Sequence, residues 1–371
     1  AMKVTAVEPM VLEAPVKEPW RIGTATYTSM HAMLVRVDTD DGITGYGEGL
    51  VRFSPRAGAA AVRDILAPVV LGQDPFNVEL IWDRMYGMMR GRGHSKGFML
   101  EAMSAVDIAV WDILGKALDQ PVHRLLGSYG RTQLPVYASS LLFKPLDALL
   151  AEAEALMAQG YPGVKLKIGE GLQADLAKVR ALRKLLGDGV RLMVDANCAY
   201  DTLTALQVGR RLEGEGVAWF EEPVAPELLD GYVKLAEALD MPIAGGETEF
   251  TRWAFKDILV RRAMDIIQPD IGRVGGFSEA RKIAALASAF DVPVGPHTGA
   301  SSAVAIAASM QWAAALPNML TFEHMYPPNP LRENLLVEPL PVPKNGLINV
   351  PQGPGLGITV NEQALARFRT S

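Results

Sequence analysis

The apolar and polar positions of the 371-residue chain fall into two regimes. Residues 2 to 50 show the two-residue alternation of half-buried strands. Val4 to Leu12 and Met30 to Val37 read as strands, and Asp41-Gly42 reads as a tight hairpin turn leading into Ile43 to Tyr46. Between them Pro15 to Tyr27 has no clear period and is expected to be a loop, as is Leu50 to Ala57. From residue 56 to 119 the spacing changes to three and four. The clearest helix runs from about Phe98 to Leu118, with Met99, Met103, Val106, Val110 and Ile113 on one stripe. Gly87 to Gly97, which holds Arg90, Arg92 and His94 among glycines, is expected to be a mobile connection. Strands followed by helices, without alternation, describe an α+β module.

After Gly127 the two periods alternate. Strands are predicted near 134–139, 164–168, 190–195, 217–221, 242–246, 264–269, 292–296 and 319–323, with seven helix-like runs between them. Leu176, Val179, Leu182 and Leu186 form one apolar helical stripe, and Phe277, Ala280, Ile283, Leu286 and Phe290 form another. Such alternation implies a parallel sheet, and eight strands at roughly 25 residues per unit imply closure into a barrel. The eighth strand has no helix after it. Pro327, Pro328 and Pro330, then Pro339, Pro341 and Pro343, forbid regular structure over most of 327–343. A possible strand at Gly357 to Val360 would cross back to the N-terminal module. The fold class is thus α/β plus α+β, a (β/α)7β modified TIM barrel with an α+β cap. An N-terminal capping domain is expected over 1–127, the barrel over 128–325, and a segment returning to the cap over 326–371.

Ionisable residues stand at the strand ends. Asp195, Glu221 and Glu247 recur at intervals of 26, followed by Asp270, His297 and Glu323 at intervals of 23, 27 and 26. In a parallel barrel every strand's C-terminal end lies on one face, so these side chains are expected to converge. Three converging carboxylates repel one another unless a cation sits between them. Oxygen-only ligands suit Mg²⁺, with Mn²⁺ as a substitute. A single acid at a strand-to-helix turn is more often a helix cap; three at one strict spacing favour the metal.

Lys165 and Lys167 flank Leu166 and therefore share one face of their strand, the barrel interior. Two inward lysines beside a divalent ion are expected to include one with a depressed pKa, suited to act as a base. The competing account is a pair of surface lysines. Asp270 and His297 end neighbouring strands, where an Asp–His hydrogen bond would fix the imidazole tautomer. Lys167 and His297 would then face each other across the mouth. Glu323 reads either as a neutral acid donating to a substrate oxygen or as a plain surface acid. Metal, acids and lysines together leave the mouth about one charge positive, which favours a carboxylate substrate and removal of its α-proton.

Composition narrows the partners. Hydrophobic residues make up 49% and charged residues 21%, and the net charge of −6 argues against nucleic acid or an anionic membrane. One cysteine, Cys198, excludes an internal disulfide and fits a reducing compartment. Burial explains it better than nucleophilic chemistry. Ala300 to Leu316 is too short and too polar to span a bilayer. No signal peptide is visible, and Ala1 reads as an addition before a natural Met2. A soluble cytoplasmic protein is expected. Gly272, Gly275 and Gly276 with Arg273 offer a weak alternative, a phosphate-binding loop, without the Lys-Ser/Thr pattern that usually accompanies one.

The motifs Lys165-Leu166-Lys167, Asp195-Ala196-Asn197, Phe220-Glu221-Glu222-Pro223, Gly245-Gly246-Glu247, Gln268-Pro269-Asp270 and Pro296-His297 resemble those of the enolase superfamily, mandelate racemase subgroup, over essentially the whole chain. The resemblance implies Mg²⁺ on Asp195, Glu221 and Glu247. It implies Lys167 as one acid/base with Lys165 as its electrostatic neighbour, and the His297–Asp270 dyad as the other. Asn197 and Glu323 would contact substrate, and loops near 15–27 and 50–57 would set specificity. In those loops and the segment after them, Arg21, Arg52, Arg90 and Arg92 offer cations for a distal carboxylate, and Trp20 and Phe53 offer apolar lids. Similar proteins dehydrate acid sugars, racemise 2-hydroxy acids or isomerise sugar lactones. Dehydration of an aldonate or hexarate is the favoured expectation, in a homo-oligomer of two to eight copies. A non-catalytic binding barrel would not need the opposed lysine and histidine.

Overall fold

The computed structural model describes residues 1–370. Its N-terminal sheet is antiparallel, in the order β1 (Val4–Ile22), β2 (Ala25–Thr39) and β3 (Thr44–Gly49). The Asp41-Gly42 turn is present, with Gly42 at φ 78. The loop expected over Pro15 to Tyr27 is instead the far end of a long hairpin. Trp20, Arg21 and Ile22 pair with Tyr27, Thr26 and Ala25, with a register shift between Pro15 and Trp20. β1 is an edge strand with an irregular register between Pro15 and Trp20, the setting in which a sheet accommodates prolines such as Pro15 and Pro19. These prolines and the exposed Lys17 and Glu18 hide the alternation.

The expected mobile connection is shorter than 87–97, because the helix Val78–Arg90 continues through its first four residues. The helix Phe98–Ala117 is buried on nearly all sides, between the sheet and the barrel. β3 makes that possible by placing glycine at every second position. A Cβ at Gly45 or Gly47 would overlap the carbonyl oxygen of Ala109 or Ala105, so the helix backbone rests directly on the strand.

The barrel strands are β4 (Gln133–Ser139), β5 (Gly163–Lys167), β6 (Arg191–Asp195), β7 (Phe220–Glu221), β8 (Ile243–Gly245), β9 (Ile266–Ile267) and β10 (Phe322–Met325). They run parallel in the order β10-β4-β5-β6-β7-β8-β9. The strand expected at 292–296 contracts to single bridges from Val294 to Ile267 and Met319, and these close the ring. Among the described residues seven long helices separate these strand positions and none of that length follows β10. The stripes Leu176/Val179/Leu182/Leu186 and Phe277/Ala280/Ile283 are buried as expected. Among the described residues no helix is long and apolar enough to cross a membrane.

The C-terminal segment binds both halves. No strand forms at 357–360, where Val360 makes only a single bridge to Leu336. The returning elements are β11 (Leu347–Asn349), antiparallel to barrel strand β4, and the helix Glu362–Phe368. Glu362 accepts from Tyr46 Oη of the cap at 2.8 Å, and Thr370 N donates to Val11 O at 2.9 Å.

Candidate active site

Strand register brings the acids together. Lys167, the last residue of β5, pairs with Asp195, the last of β6, and Asp195 pairs with Glu221, the last of β7. Side chains at these equivalent positions all point into the barrel mouth. One carboxylate oxygen from each of Asp195, Glu221 and Glu247 lies within 4.8 Å of the others. Asp195 and Glu221 are fully buried, and Glu247 is half-buried. The donor set is oxygen-only and crowded: burial pushes Glu221 up to about 7, and Asp195, Glu323 and Glu247 add to the effect. A hard divalent cation suits such a site. The adjacent Glu222 turns aside at φ 39 and takes a contact from Thr248 Oγ1 at 3.4 Å.

The floor of the site is a buried polar network. Lys165 Nζ donates to Glu221 Oε1 and to Glu323 Oε2, each at 2.6 Å, and lies 3.4 Å from Tyr137 Oη. Glu221 Oε2 accepts from Trp219 Nε1 at 3.0 Å and Gln268 Nε2 at 2.8 Å. Lys167 Nζ donates to Asp195 Oδ2 at 2.5 Å. The acids alone shift both lysines the opposite way from the depression expected beside a divalent ion. Burial opposes the charge on both lysines, but the acids around them outweigh it and hold both above the usual value. Tyr137 and Trp219 escaped the sequence reading. Trp219 stands two residues before Glu221 on one strand, the spacing that could have revealed it.

His297 Nδ1 lies 2.7 Å from Asp270 Oδ2, while Nε2 lies 3.4 Å from Glu247 Oε2 and 3.9 Å from Glu323 Oε1. Donation from Nδ1–H to Asp270 leaves Nε2 facing the triad. Burial lowers the affinity of His297 for a proton, but Glu247, Asp270 and Glu323 more than offset this and raise it. Glu323 is not a neutral donor. Besides Lys165 it accepts from Thr298 N at 2.9 Å and Gly299 N at 3.1 Å. Burial resists its ionisation, yet Lys165 and His297 hold the carboxyl well below the usual range.

Asn197 is 8% exposed at φ 45, and its Oδ1 is buried with no protein partner among the described residues. Its backbone N donates to Asp195 Oδ1 at 2.8 Å. The tip of the β1–β2 hairpin lies over the neighbouring strand ends: a Cβ on Gly23 would sit 3.3 Å from Ala196 O and 3.4 Å from Ala199 Cβ. Arg21 anchors the hairpin by its carbonyl, which accepts from Phe143 N at 2.9 Å, and its residue is exposed. Trp20 is buried in the hydrophobic core and is not a lid. Phe53 is 58% exposed and stacks on Tyr27, which the sequence reading passed over, with centroids 4.8 Å apart.

The cap arginines divide. Arg52 comes to the mouth: a Cβ on Gly299 would overlap Arg52 Nη2 and fall 2.7 Å from His297 Cε1. Arg90 packs over Tyr86 and Trp253, and Arg92 donates to Met88 O, so neither is placed with the triad. Arg273 is committed to Glu101 and the Glu247 carbonyl, which leaves the phosphate-loop alternative without its cation. Burial pushes the half-buried Cys198 thiol up, away from nucleophilic use.

Comparison with known proteins adds independent findings. The family described as "Mandelate racemase / muconate lactonizing enzyme, N-terminal domain" matches residues 4–127, and "Enolase C-terminal domain-like" matches 148–364. The chain is 38% identical over 380 residues to D-galactarolactone cycloisomerase of Agrobacterium fabrum, covering 99% of each chain. It is 36% identical over 344 residues to arabinonate dehydratase of Saccharolobus solfataricus, covering 92% of this chain and 91% of that one. A crystal structure of a racemase from Streptomyces coelicolor with bound magnesium superposes with a TM-score of 0.92 at 29% identity, covering 99% of this chain and 100% of the other.

Proposed function

The chain belongs to the mandelate racemase/muconate lactonizing enzyme group of the enolase superfamily, and we propose that it dehydrates an acid sugar. The reaction removes the proton α to the carboxylate of an aldonate or hexarate and expels the neighbouring hydroxyl as water, leaving a 2-keto-3-deoxy acid. One observation carries this reading: two proton-transfer groups bracket the acid triad. Lys167 Nζ touches Asp195 on one side, and His297 Nε2 approaches Glu247 on the other.

Asp195, Glu221 and Glu247 would hold Mg²⁺, with Mn²⁺ as a substitute. When bound, the ion supplies Lewis-acid stabilisation for the negative charge that develops on the substrate carboxylate. Lys165 offsets charge from beneath through Glu221 and Glu323. Lys167 or His297, according to the α-carbon's configuration, takes the proton from its neutral form, which a divalent cation on the triad would favour by offsetting the acids that otherwise hold the proton on it. Where His297 is the base, its Nε2 returns that proton to the departing hydroxyl. Where Lys167 is the base, His297 enters as the imidazolium, gives its Nε2 proton to the hydroxyl and ends neutral. Asp270 orients the ring in both cases. The unpartnered Oδ1 of Asn197 is available to a substrate hydroxyl. Arg52 beside Gly299 would pair with a distal carboxylate, and the hairpin tip and Phe53 would exclude water. Homo-oligomerisation and a cytoplasmic location complete the reading.

A second reading is favoured by the likeness to the cycloisomerase of Agrobacterium fabrum. Opening a sugar lactone begins with the same α-proton removal and needs the same groups. Proton NMR in D₂O, with Mg²⁺ and a panel of acid sugars and lactones, separates them. New 2-keto-3-deoxy signals from an open-chain acid sugar establish dehydration. Conversion of a lactone without loss of water establishes cycloisomerisation. Loss of only the α-proton signal means racemisation or half-reaction exchange, and appearance of the opposite epimer establishes racemisation and rejects both.

A further inference from the structure

The three acids of the triad are not held alike. Asp195 and Glu221 lie within paired strands, and their backbones are fixed by the ladder. Glu247 lies two residues beyond the end of β8, outside the ladder. Its backbone is held instead by Arg273, whose Nη1 donates to the Glu247 carbonyl oxygen at 2.7 Å. Arg273 Nε donates to Glu101 Oε1 at 3.0 Å.

Glu101 belongs to the cap helix Phe98–Ala117, so this chain of contacts crosses from cap to barrel. It is not a solvated surface pair: the Arg273 side chain is 13% exposed and that of Glu101 6%. The Arg273 backbone N donates to Asp270 O at 2.9 Å, which ties the same turn to the partner of His297. Phe250 lies 5.6 Å from the guanidinium carbon. A planar guanidinium with two fixed partners holds geometry in a way that a single-point ammonium does not.

We infer that Arg273, oriented by Glu101, is a positioning residue that fixes Glu247 and so sets the divalent-cation affinity of the triad. The cap thereby tunes the metal centre without contributing a ligand to it. This inference rests on the reading of the triad as a Mg²⁺ site. Groups one step removed from a metal typically change its affinity 10–100-fold when removed.

The test is calorimetric titration of Mg²⁺ into the chelator-stripped full chain, with circular dichroism to verify folding. Arg273→Met and Glu101→Gln should each weaken Mg²⁺ binding by roughly 10–100-fold. Arg273→Lys should recover only part of the loss. The double variant should bind no more weakly than the worse single one, because both substitutions cut one relay. Should Arg273→Met fail to fold, Glu101→Gln decides, since it keeps an acceptor in place. Wild-type affinity in a folded variant would overturn the inference, as would losses that multiply in the double variant. A wild-type chain that binds no Mg²⁺ would overturn the metal reading and the relay together.

Discussion

Lys165 Nζ and Glu323 Oε2 stand 2.6 Å apart at the floor of the barrel mouth, with side chains 0% and 2% exposed. Lys165 makes an equally short contact with Glu221, so a single ammonium separates two buried carboxylates. Lys165→Met removes it and leaves Glu221 with only neutral donors and Glu323 with its backbone donors and the more distant His297. The expected loss is about 3–5 kcal/mol of stability, measured by urea unfolding. A variant within about 1 kcal/mol of the parent would mean that the acids are already neutral.

Lys167 and His297 approach the triad from opposite sides. Lys167→Ala or His297→Asn should each lower turnover by roughly 10²–10⁴-fold. The two variants should differ in which α-epimer still exchanges its proton with D₂O, because each keeps one of the two groups. Proton NMR reads both quantities. Near-normal turnover in either variant would remove that residue from the mechanism.

Chelation by EDTA should abolish turnover, and added Mg²⁺ should restore it. Because the ion binds only the folded triad, saturation at about a hundred times its Kd should raise stability by roughly 2.7 kcal/mol. Glu247→Gln should erase this metal-dependent shift in Tm while the protein remains folded. A shift that survives the substitution would place the ion elsewhere.

Glu48 accepts from Ser302 N and Ala305 N at 3.1 Å each, at the start of the helix Ala303–Ala315. Burial pushes its carboxyl up from 4.5 to about 7. The folded protein therefore holds this proton more tightly than the unfolded chain does. The contribution to stability is fully present below about 4.5 and is lost as the pH rises through about 7. Glu48→Gln stays neutral throughout. Between about pH 5 and pH 8 the stability of the wild type relative to this variant should fall by roughly 3 kcal/mol. Denaturant titrations at the two pH values check it, and a constant difference would show that Glu48 is ionised throughout.

The barrel was legible because its signals are local. Each strand-to-helix unit repeats at nearly constant length, so Asp195 and Glu221 fall at paired register positions and Glu247 follows just past the end of the next strand. The hairpin over Pro15 to Tyr27 was not legible. Its prolines are tolerated only because β1 lies at an edge, and edge position is a property of the sheet. The contraction of the strand at Val294 to single bridges likewise depends on how its neighbours close the ring.

Residue type, strand parity and spacing, all present in one dimension, determined which side chains share the barrel mouth. Ionisation state and orientation were decided only by folding. Glu323 reads from the sequence either as a neutral donor or as a plain surface acid, but Lys165, Thr298 and Gly299 converge on it and hold it charged. Arg273 reads as a loop cation, yet Glu101, 172 positions away in the chain, turns it toward Glu247. Hydrogen bonds and charges act over a few ångströms in space, and sequence separation carries no measure of that distance.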